Sequence, residues 1–209
     1  MKRLFYLWLM LGCHFLPAQS IIETFMNITD SVCPASKEHR SKVWQQFVST
    51  LYAVNYHSFK IEKISASYML LTGLFEGTWE LKKWKINKHQ NLVGVSLTTC
   101  GPICSSNLYF FMEKAATYEF LPTEQVFPTI ISDDYYNISE MKRLNQFNFN
   151  DLQIFSSYSW TAHFQLRKKY IRINFEEIDS FDSEQVKVVY ANKKRQLLLK
   201  KRNNIFKKD

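Results

Sequence analysis

The chain has 209 residues and a formal net charge of +8, and 46% of its residues are hydrophobic and 16% aromatic. This length and apolar content are enough to form a substantial core, which excludes a wholly disordered protein. Only five glycines occur, and none is spaced as in a GxGxxG or Walker loop, so a glycine-rich phosphate-binding site is not expected.

The first twenty residues have the three parts of a secretory signal peptide. Lys2 and Arg3 form a charged start, an apolar run extends to Leu16, and Ala18 to Ser20 give a small-residue cleavage box. The apolar run is too short to span a bilayer. We therefore expect residues 1–20 to be removed and the mature chain to be exported to the periplasm or cell envelope.

An alternative processing route involves Cys13. This cysteine follows Leu11 and Gly12, as in a bacterial lipoprotein box, where the cysteine is acylated and becomes the new N-terminus. Met10 and Leu11 fit that box poorly, so lipid anchoring through Cys13 is the minor alternative to cleavage near residue 20.

Two amphipathic stretches predict helices at the start of the mature chain. Ile21 to Val32 carries a short helical stripe of apolar residues, which Pro34 ends. Ser41 is the expected N-cap of a second helix over residues 42–54, whose apolar side chains recur on one face with the 3.6-residue period. Both helices need a partner surface, which the following strands would supply.

The clearest strand pair lies between Asn91 and Met112. Apolar residues alternate with small or polar ones on both sides of a short turn, which predicts a β-hairpin with residues 100–104 at its tip. The apolar side chains of this hairpin are expected to face the helices: Val93, Val95, Leu97, Leu108 and Phe110.

Further strands are expected on both sides of this hairpin. They cover residues 58–64, 66–74 and 78–86 before it, and 152–158, 161–167, 170–175, 185–190 and 196–199 after it. Residues 121–128 predict an extended connector and residues 138–147 a short helix.

Helices followed by about four strands thus occur twice along the chain. This order predicts an α+β fold, mostly antiparallel sheet with N-terminal helices packed on one face. Two similar helix-then-strands halves and one continuous sheet remain as alternatives. We divide the chain into a leader (1–20), helices plus antiparallel strands (21–120), a second strand-rich half of the same unit (121–192) and a basic tail (193–209).

The positive charge is concentrated at the two ends of the chain. Residues 193–209 hold eight Lys or Arg residues and one Asp, whereas the body between leader and tail is close to neutral. The tail has no interleaved aromatic platform, so specific nucleic-acid recognition is not expected. A solvated tail, frayed from residue 203 onward, with weak contact to anionic membrane is the expectation instead.

The segment NLVGVSLTTCGPICSSNLYFFM, followed by FLPT from Phe120 and by Phe127 and Pro128, resembles an uncharacterised family of small secreted bacterial proteins of the Bacteroidales type. That family has a strand pair similar to VIGVVTTVCGP before an LP segment. The leader ending in AQS, the mature start IIETFMNITDSVCP and the late VKVVYANKKRQLLL are similar to its ends. Where the family carries a Trp after the second strand, this chain has EKAAT. As a domain of unknown function, the family implies export and no particular chemistry.

The cysteines are the sharpest chemical feature. Cys100 and Cys104 lie in CGPIC, one residue longer than the CGPC box of thioredoxin, which needs two intervening residues at a helix N-terminus. An exported, oxidising setting favours a structural disulfide at the hairpin tip, with free buried thiols or a redox role as alternatives. Three cysteines remain after leader removal, so Cys33 could also pair with either of them.

No other group of residues predicts a catalytic or metal site. None of His39, His57, His89 and His163 has a second His or Cys at metal-ligand spacing, and the acidic stretch 176–184 lacks the glycine of a calcium loop. The serines lack the G-x-S-x-G elbow. His163 is expected to be structural, and core packing is expected for at least one of Trp79 and Trp84, which could otherwise stack on a sugar or peptide.

These observations predict an exported, non-enzymatic binding module of unknown activity, without a cofactor or a metal. Its partner would be an unknown protein or an envelope component, contacted through a sheet face or through the tip residues Gly101, Pro102 and Ile103. The alternative is a thiol-dependent enzyme or redox protein that uses Cys100 or Cys104. A nucleophilic Cys100 paired with His57 or His163 as its base is the least expected version of this alternative.

Overall fold

The structure is a computed structural model that describes residues 21–50, 60–74, 76–101, 103–115, 117–137, 159–165, 169–175, 196–202 and 205–208. Within these ranges the chain forms two antiparallel sheets and a small N-terminal helical part. The expectation of a mostly antiparallel sheet is confirmed, and helices are fewer than an α+β fold usually has. The predicted helix 138–147, the predicted strands 152–158 and 185–190, the acidic stretch 176–184 and His57 lie outside the described residues.

Two helices open the described chain. Helix α1 covers residues 21–27 and α2 covers Lys37–Thr50. Helix α2 begins one turn earlier than expected because the Ser36 hydroxyl accepts the backbone N–H of His39 and caps the first turn. The expected cap, Ser41, lies inside the helix, where its hydroxyl donates to the Lys37 carbonyl at 3.2 Å. No helix in the described part of the chain is long and apolar enough to cross a lipid bilayer.

Arg40 of α2 fixes the two helices to each other. Its side chain is 1% exposed and donates to the carbonyls of Ala35 at 3.1 Å and Ile28 at 3.0 Å. The same guanidinium pairs with Asp30 at 2.8 Å. Because these carbonyls lie past the end of α1, where helical partners are missing, Arg40 satisfies polar groups that burial would otherwise leave unpaired.

Six strands form the first sheet in the order of the chain. They are β1 (Lys60–Ser65), β2 (Tyr68–Leu74), β3 (Gly77–Lys85), β4 (Gln90–Thr99), β5 (Ser105–Lys114) and β6 (Thr117–Leu121). The hairpin expected around residues 100–104 is confirmed, with Thr99 opposite Ser105. Strand β6 was not expected, because three of its five side chains are exposed and show no alternation.

Four strands form the second sheet, in the order β10-β9-β8-β7. They are β7 (Trp160–Phe164), β8 (Tyr170–Phe175), β9 (Gln196–Arg202) and β10 (Ile205–Lys208). Short helices α3 (Thr123–Val126) and α4 (Ser132–Tyr135) lie between the two sheets along the chain, α3 within the expected extended connector.

The described residues 196–202 and 205–208 of the basic segment form paired strands and are not frayed. Strands β9 and β10 pair from Leu199 opposite Lys208 to Arg202 opposite Ile205. Phe206 is 2% exposed, and its ring centroid lies 5.1 Å from that of Trp84. The expectation of a solvated tail is therefore wrong over these strands, because an aromatic anchor holds the basic segment against the core.

The strand register decides which core each side chain enters. Val93 and Val95 face the N-terminal helices, as expected. Leu108 and Phe110 lie directly opposite Ser96 and Gly94, which places them on the other face, toward the second sheet. The expectation that they face the helices is wrong, because directly opposed residues on paired strands share a face of the sheet. The register across the turn pairs them with Ser96 and Gly94 and not with the helix-facing valines of β4.

The second sheet packs on the first through its edge strand β7. The backbone N–H of Ala162 donates to the Ser106 hydroxyl at 2.9 Å, and the Ser96 hydroxyl donates to the Ala162 carbonyl at 2.7 Å. The backbone N–H of Phe164 donates to the Glu80 carboxylate at 2.9 Å. Polar side chains of the first sheet thus complete the hydrogen bonding of an edge strand that would otherwise be open.

Trp79 and Trp84 both pack in the core, on opposite faces of β3. Trp79 is fully buried on the helix side, where its indole N–H donates to the Val32 carbonyl at 2.9 Å. Trp84 is 4% exposed on the side of the second sheet. Neither ring is available to stack on a ligand.

Candidate ligand-binding pocket

A polar pocket of about 480 Å³ lies where α1 meets the first sheet. Its volume is in the range of small-ligand sites, but its lining is unusual for a helix packed on a sheet, which is ordinarily apolar. The floor is formed by Lys83, Asn91, Glu113 and Tyr118, the rim by the exposed side chains of Glu23, Asn27 and His89, and Ala115 closes one side.

Glu113 is the centre of this floor. Its Oε1 accepts hydrogen bonds from Lys83 at 2.7 Å, Tyr118 at 3.2 Å and Thr24 at 3.3 Å. Its Oε2 accepts one from the Asn91 amide at 2.6 Å. The Lys83 and Glu113 side chains are only 7% and 10% exposed, so the carboxylate is a buried charge held by four donors.

The sheet register brings these groups together. Asn91, Glu113 and Tyr118 lie directly opposite one another across β4, β5 and β6 and therefore form one row on the helix-facing side. Lys83 of β3 reaches the row diagonally. The residue directly opposite Asn91 is Lys85, two positions along the same strand and on the same face as Lys83. Thr24 reaches the row from α1. Five elements thus meet at one carboxylate.

The Tyr118 hydroxyl acts as a neutral donor in this cluster. Burial of the phenol raises its pKa to about 12, with the nearby Glu113 carboxylate adding to the rise and a hydrogen bond with Thr24 opposing it. The phenol is therefore protonated at any physiological pH and donates to Glu113.

Ala115 bounds the pocket at the turn between β5 and β6. Its backbone φ is 45°, a left-handed conformation that costs a residue with a Cβ roughly 1 kcal/mol. Lys114 and Thr117 pair across this turn, and Thr117 donates from its hydroxyl to the Lys114 carbonyl at 2.6 Å. Ala115 and Tyr118, on either side of this turn, both line the pocket.

The rim supplies groups that are not part of the Glu113 cluster. Glu23 offers a carboxylate, Asn27 an amide and His89 an imidazole, and all three are exposed. Such a mixture of donors and acceptors suits a ligand with several hydroxyl or amide groups. The described residues contain no group of three or more His, Cys, Asp or Glu side chains that could hold a metal ion.

The cysteines predicted as a staple are found at the other end of the β4–β5 hairpin. Cys100 and Cys104 form a disulfide, and the Ser159 hydroxyl donates to the Cys104 carbonyl. Gly101 and Ile103 at the tip are exposed, and Pro102 lies outside the described residues. The structure therefore separates the expected interaction tip from the pocket by the length of the hairpin.

Cys33 is a free, buried cysteine on the helix side of the first sheet. Burial raises the pKa of its thiol, although hydrogen bonds with Arg40 and Ala35 oppose the rise. The sequence also allowed Cys33 to pair with Cys100 or Cys104. In the structure those two cysteines pair with each other and Cys33 stays reduced.

His163 has the structural role expected of it. Its Nδ1 lies 2.9 Å from Glu80 Oε1, its Nε2 lies 3.2 Å from the Thr161 hydroxyl, and the side chain is 33% exposed. The Tyr68 hydroxyl donates to the other Glu80 oxygen at 3.0 Å. Burial and the Glu80 carboxylate raise the pKa of Tyr68. The phenol therefore stays protonated and continues to donate its hydrogen bond to Glu80.

The pocket was not predicted from the sequence, because its residues are scattered over five elements. The available signal was local: Lys83 and Glu113 occupy strand positions that alternate in phase with buried apolar residues such as Leu81 and Phe111. Two opposite charges at buried strand positions predict a partnered site, but only the register shows that they meet across the intervening strand β4.

Comparison with known proteins gives a family from one match and a fold from another. The model of a family described as a protein of unknown function (DUF3256) matches residues 14–195. No curated protein matches the chain. Among solved structures, a domain of an uncharacterized protein from Porphyromonas gingivalis W83 is similar with a TM-score of 0.75 and 11% identity, covering 91% of this chain and 98% of that one. This likeness shows the fold alone.

Proposed function

The chain belongs to the DUF3256 family of proteins of unknown function, and from that premise we propose that it is an exported, non-enzymatic binding protein. Membership agrees with the expectation of a family of unknown function; secretion is part of the proposal. In this proposal the pocket at Glu113 binds a hydroxyl-rich ligand, such as a glycan unit of a cell-envelope component.

The observation that carries the proposal is the combination of a fixed polar floor with a free polar rim. Four donors hold the Glu113 carboxylate in place, so the floor is ordered before any ligand arrives. Glu23, Asn27 and His89 are exposed around the opening and could exchange water for ligand hydroxyls. The Tyr118 ring adds an apolar surface of the kind that sugar rings contact.

The cysteines favour binding over thiol chemistry. Cys100 and Cys104 are joined, and burial raises the thiol pKa of Cys33, so none of the three supplies a ready thiolate. The disulfide and the predicted leader both support export to the periplasm or envelope. A thiol-dependent enzyme remains the alternative hypothesis.

The test is a direct binding measurement with defined glycans. Oligosaccharides of N-acetylglucosamine and the muropeptides released from peptidoglycan by a muramidase would be titrated into the purified protein by isothermal calorimetry. We expect saturable binding to at least one of these probes, and loss of that binding in a Glu23→Ala, Asn27→Ala double variant, which leaves the Glu113 cluster untouched.

A matched control removes the same functional groups elsewhere. Glu124 and Gln125 are exposed on α3, so a Glu124→Ala, Gln125→Ala variant loses one carboxylate and one amide away from the pocket. Equal binding by both variants, or no binding of any glycan by the unaltered protein, would overturn the assignment of the ligand to this pocket. Turnover of a muropeptide by the purified protein would overturn the non-enzymatic part of the proposal.

A further inference from the structure

The outer face of the second sheet carries three exposed basic side chains, which we name the cationic face: Lys200, Arg202 and Lys207. Lys200 and Lys207 lie directly opposite each other on β9 and β10. They alternate with Leu199 and Phe206, which are buried on the inner side. Alternation along the strands therefore directs these cations away from the core.

The described residues offer this face no neutralising charge. Strands β8, β9 and β10 contain no Asp or Glu within their described ranges. No carboxylate elsewhere in the described part of the chain lies within ion-pair distance of Lys200, Arg202 or Lys207. Directly opposed like charges destabilise a strand pair, so the Lys200–Lys207 pair is unfavourable in the isolated protein. The nearby Lys169 backbone carbonyl accepts the Lys201 N–H at 2.9 Å, which brings further basic residues to the same end.

The face also has an apolar component. Ile205 begins β10, is 38% exposed and lies directly opposite Arg202. Leu198, opposite Arg172 on β8, is half-buried on the same outer side. A surface that presents cations with an exposed aliphatic side chain between them has the composition of a membrane-interface contact, because the bilayer offers phosphates above acyl chains.

We propose that the cationic face docks onto an anionic lipid bilayer. Lys200, Lys207 and Arg202 pair with lipid phosphates, and Ile205 enters the boundary between headgroups and acyl chains. A nucleic acid would satisfy the charges but would leave Ile205 without an apolar partner, so the lipid surface fits both features. This surface is separate from the pocket at Glu113 and does not depend on that pocket binding a glycan.

The experiment measures partition of the purified protein onto vesicles by co-sedimentation. Vesicles of phosphatidylcholine alone are compared with vesicles that also contain phosphatidylglycerol, at low and at physiological ionic strength. We expect binding only to the anionic vesicles, with weakening as salt screens the contact. Equal binding to both vesicle types would overturn the proposal.

A matched pair of variants locates the contact. Lys200→Gln with Lys207→Gln removes two charges from the cationic face, and Lys63→Gln with Lys85→Gln removes two exposed charges from the first sheet. We expect the first variant to lower the partition coefficient by about 30-fold and the second by about twofold or less. Comparable losses in both would mean that net charge alone drives the binding, which contradicts a defined face.

Two further readouts keep the result interpretable. The Lys200→Gln, Lys207→Gln variant should melt at the same or a higher temperature, because it relieves a like-charge pair; Arg202→Gln is the substitute if it does not fold. Ile205→Ser should lower partition onto anionic vesicles at constant charge. Two results together would contradict the lipid proposal: Ile205→Ser partitions onto vesicles as well as the unaltered protein does, and the protein binds duplex DNA more tightly than anionic vesicles at the same salt. The partner of the cationic face would then be a nucleic acid.

Discussion

The Glu80 carboxylate of β3 accepts the backbone N–H of Phe164 in β7 at 2.9 Å, across 84 positions of the chain. The same carboxylate binds His163 and the Tyr68 hydroxyl and is 4% exposed. This buried acidic side chain therefore joins the second sheet to the first, together with the hydrogen bonds of Ser96 and Ser106 to Ala162. The second sheet in turn holds the cationic face in its position.

Loss of this carboxylate should weaken the whole fold. Glu80→Ala would leave a buried backbone N–H and a buried phenol without acceptors, and we expect the free energy of unfolding to fall by about 3 kcal/mol. Glu80→Gln retains one acceptor and should cost about half as much. Urea unfolding measures both, and a loss below about 1 kcal/mol for Glu80→Ala would contradict this role.

The pocket floor predicts an asymmetry between the two partners of its ion pair. Glu113→Ala removes the buried acceptor that Lys83 and three neutral donors share, so we expect a loss of about 4 kcal/mol in the free energy of unfolding. Lys83→Met leaves the carboxylate with Asn91, Tyr118 and Thr24 and should cost about 2 kcal/mol. Equal losses, measured by denaturant titration, would mean that the neutral donors contribute little.

Tyr118 predicts a dependence of stability on alkaline pH. Its pKa rises from an ordinary 10.0 to about 12 on folding. The folded protein therefore favours the neutral phenol, and this contribution is complete below pH 10 and is lost as the pH rises toward 12. The stability difference between the unaltered protein and Tyr118→Phe, about 1 kcal/mol at neutral pH, should shrink over that window. A difference that stays constant would contradict the prediction, since Tyr68 titrates equally in both proteins.

Gly94 allows the two sheets to approach. A Cβ at this position would lie 2.7 Å from a Trp84 ring carbon and 3.1 Å from a Phe164 ring carbon, so Gly94→Ala should cost about 2 kcal/mol of unfolding free energy. Gly101→Ala is the matched control, because a Cβ there meets nothing within 4 Å. Thermal unfolding of both variants gives the comparison, and equal melting temperatures would show that the aromatic rings can move aside.

The cysteines predict a defined thiol count. A chain without the leader holds Cys33, Cys100 and Cys104, and we expect no reactive thiol in the native protein, one after unfolding and three after unfolding with reductant. Cys100→Ser with Cys104→Ser should lower stability by about 2 kcal/mol, the value for a short loop. One fast-reacting thiol in the native protein would instead support the thiol-dependent enzyme.

Local pattern alone was enough to predict several elements. The β4–β5 hairpin was expected because apolar residues alternate with small or polar ones in its sequence, and strand β8, whose burial alternates along the strand, was expected over its observed residues. The cysteine staple was also predicted, since its two members are four positions apart on one tight turn. In each case the deciding interactions lie within a few residues of one another.

Other elements depended on distant partners. Strand β10 is short and basic, and three distant contacts hold it in place: its pairing with β9, the packing of Phe206 against Trp84 and the ion pair of Lys208 with Asp134. The facing of Leu108 and Phe110 depended on the register of β5 against β4, which a shift of one residue would reverse.

The sequence by itself determined that this chain forms mostly antiparallel sheet and carries a cysteine staple at a hairpin tip, because alternation and short spacing are local properties. Only the tertiary structure decided that the described strands form two sheets, that Glu80 helps to join them, and that Glu113 gathers donors from α1, β3, β4 and β6 into a pocket. Such contacts join residues tens of positions apart, and their formation depends on strand register and sheet packing, which no local pattern contains.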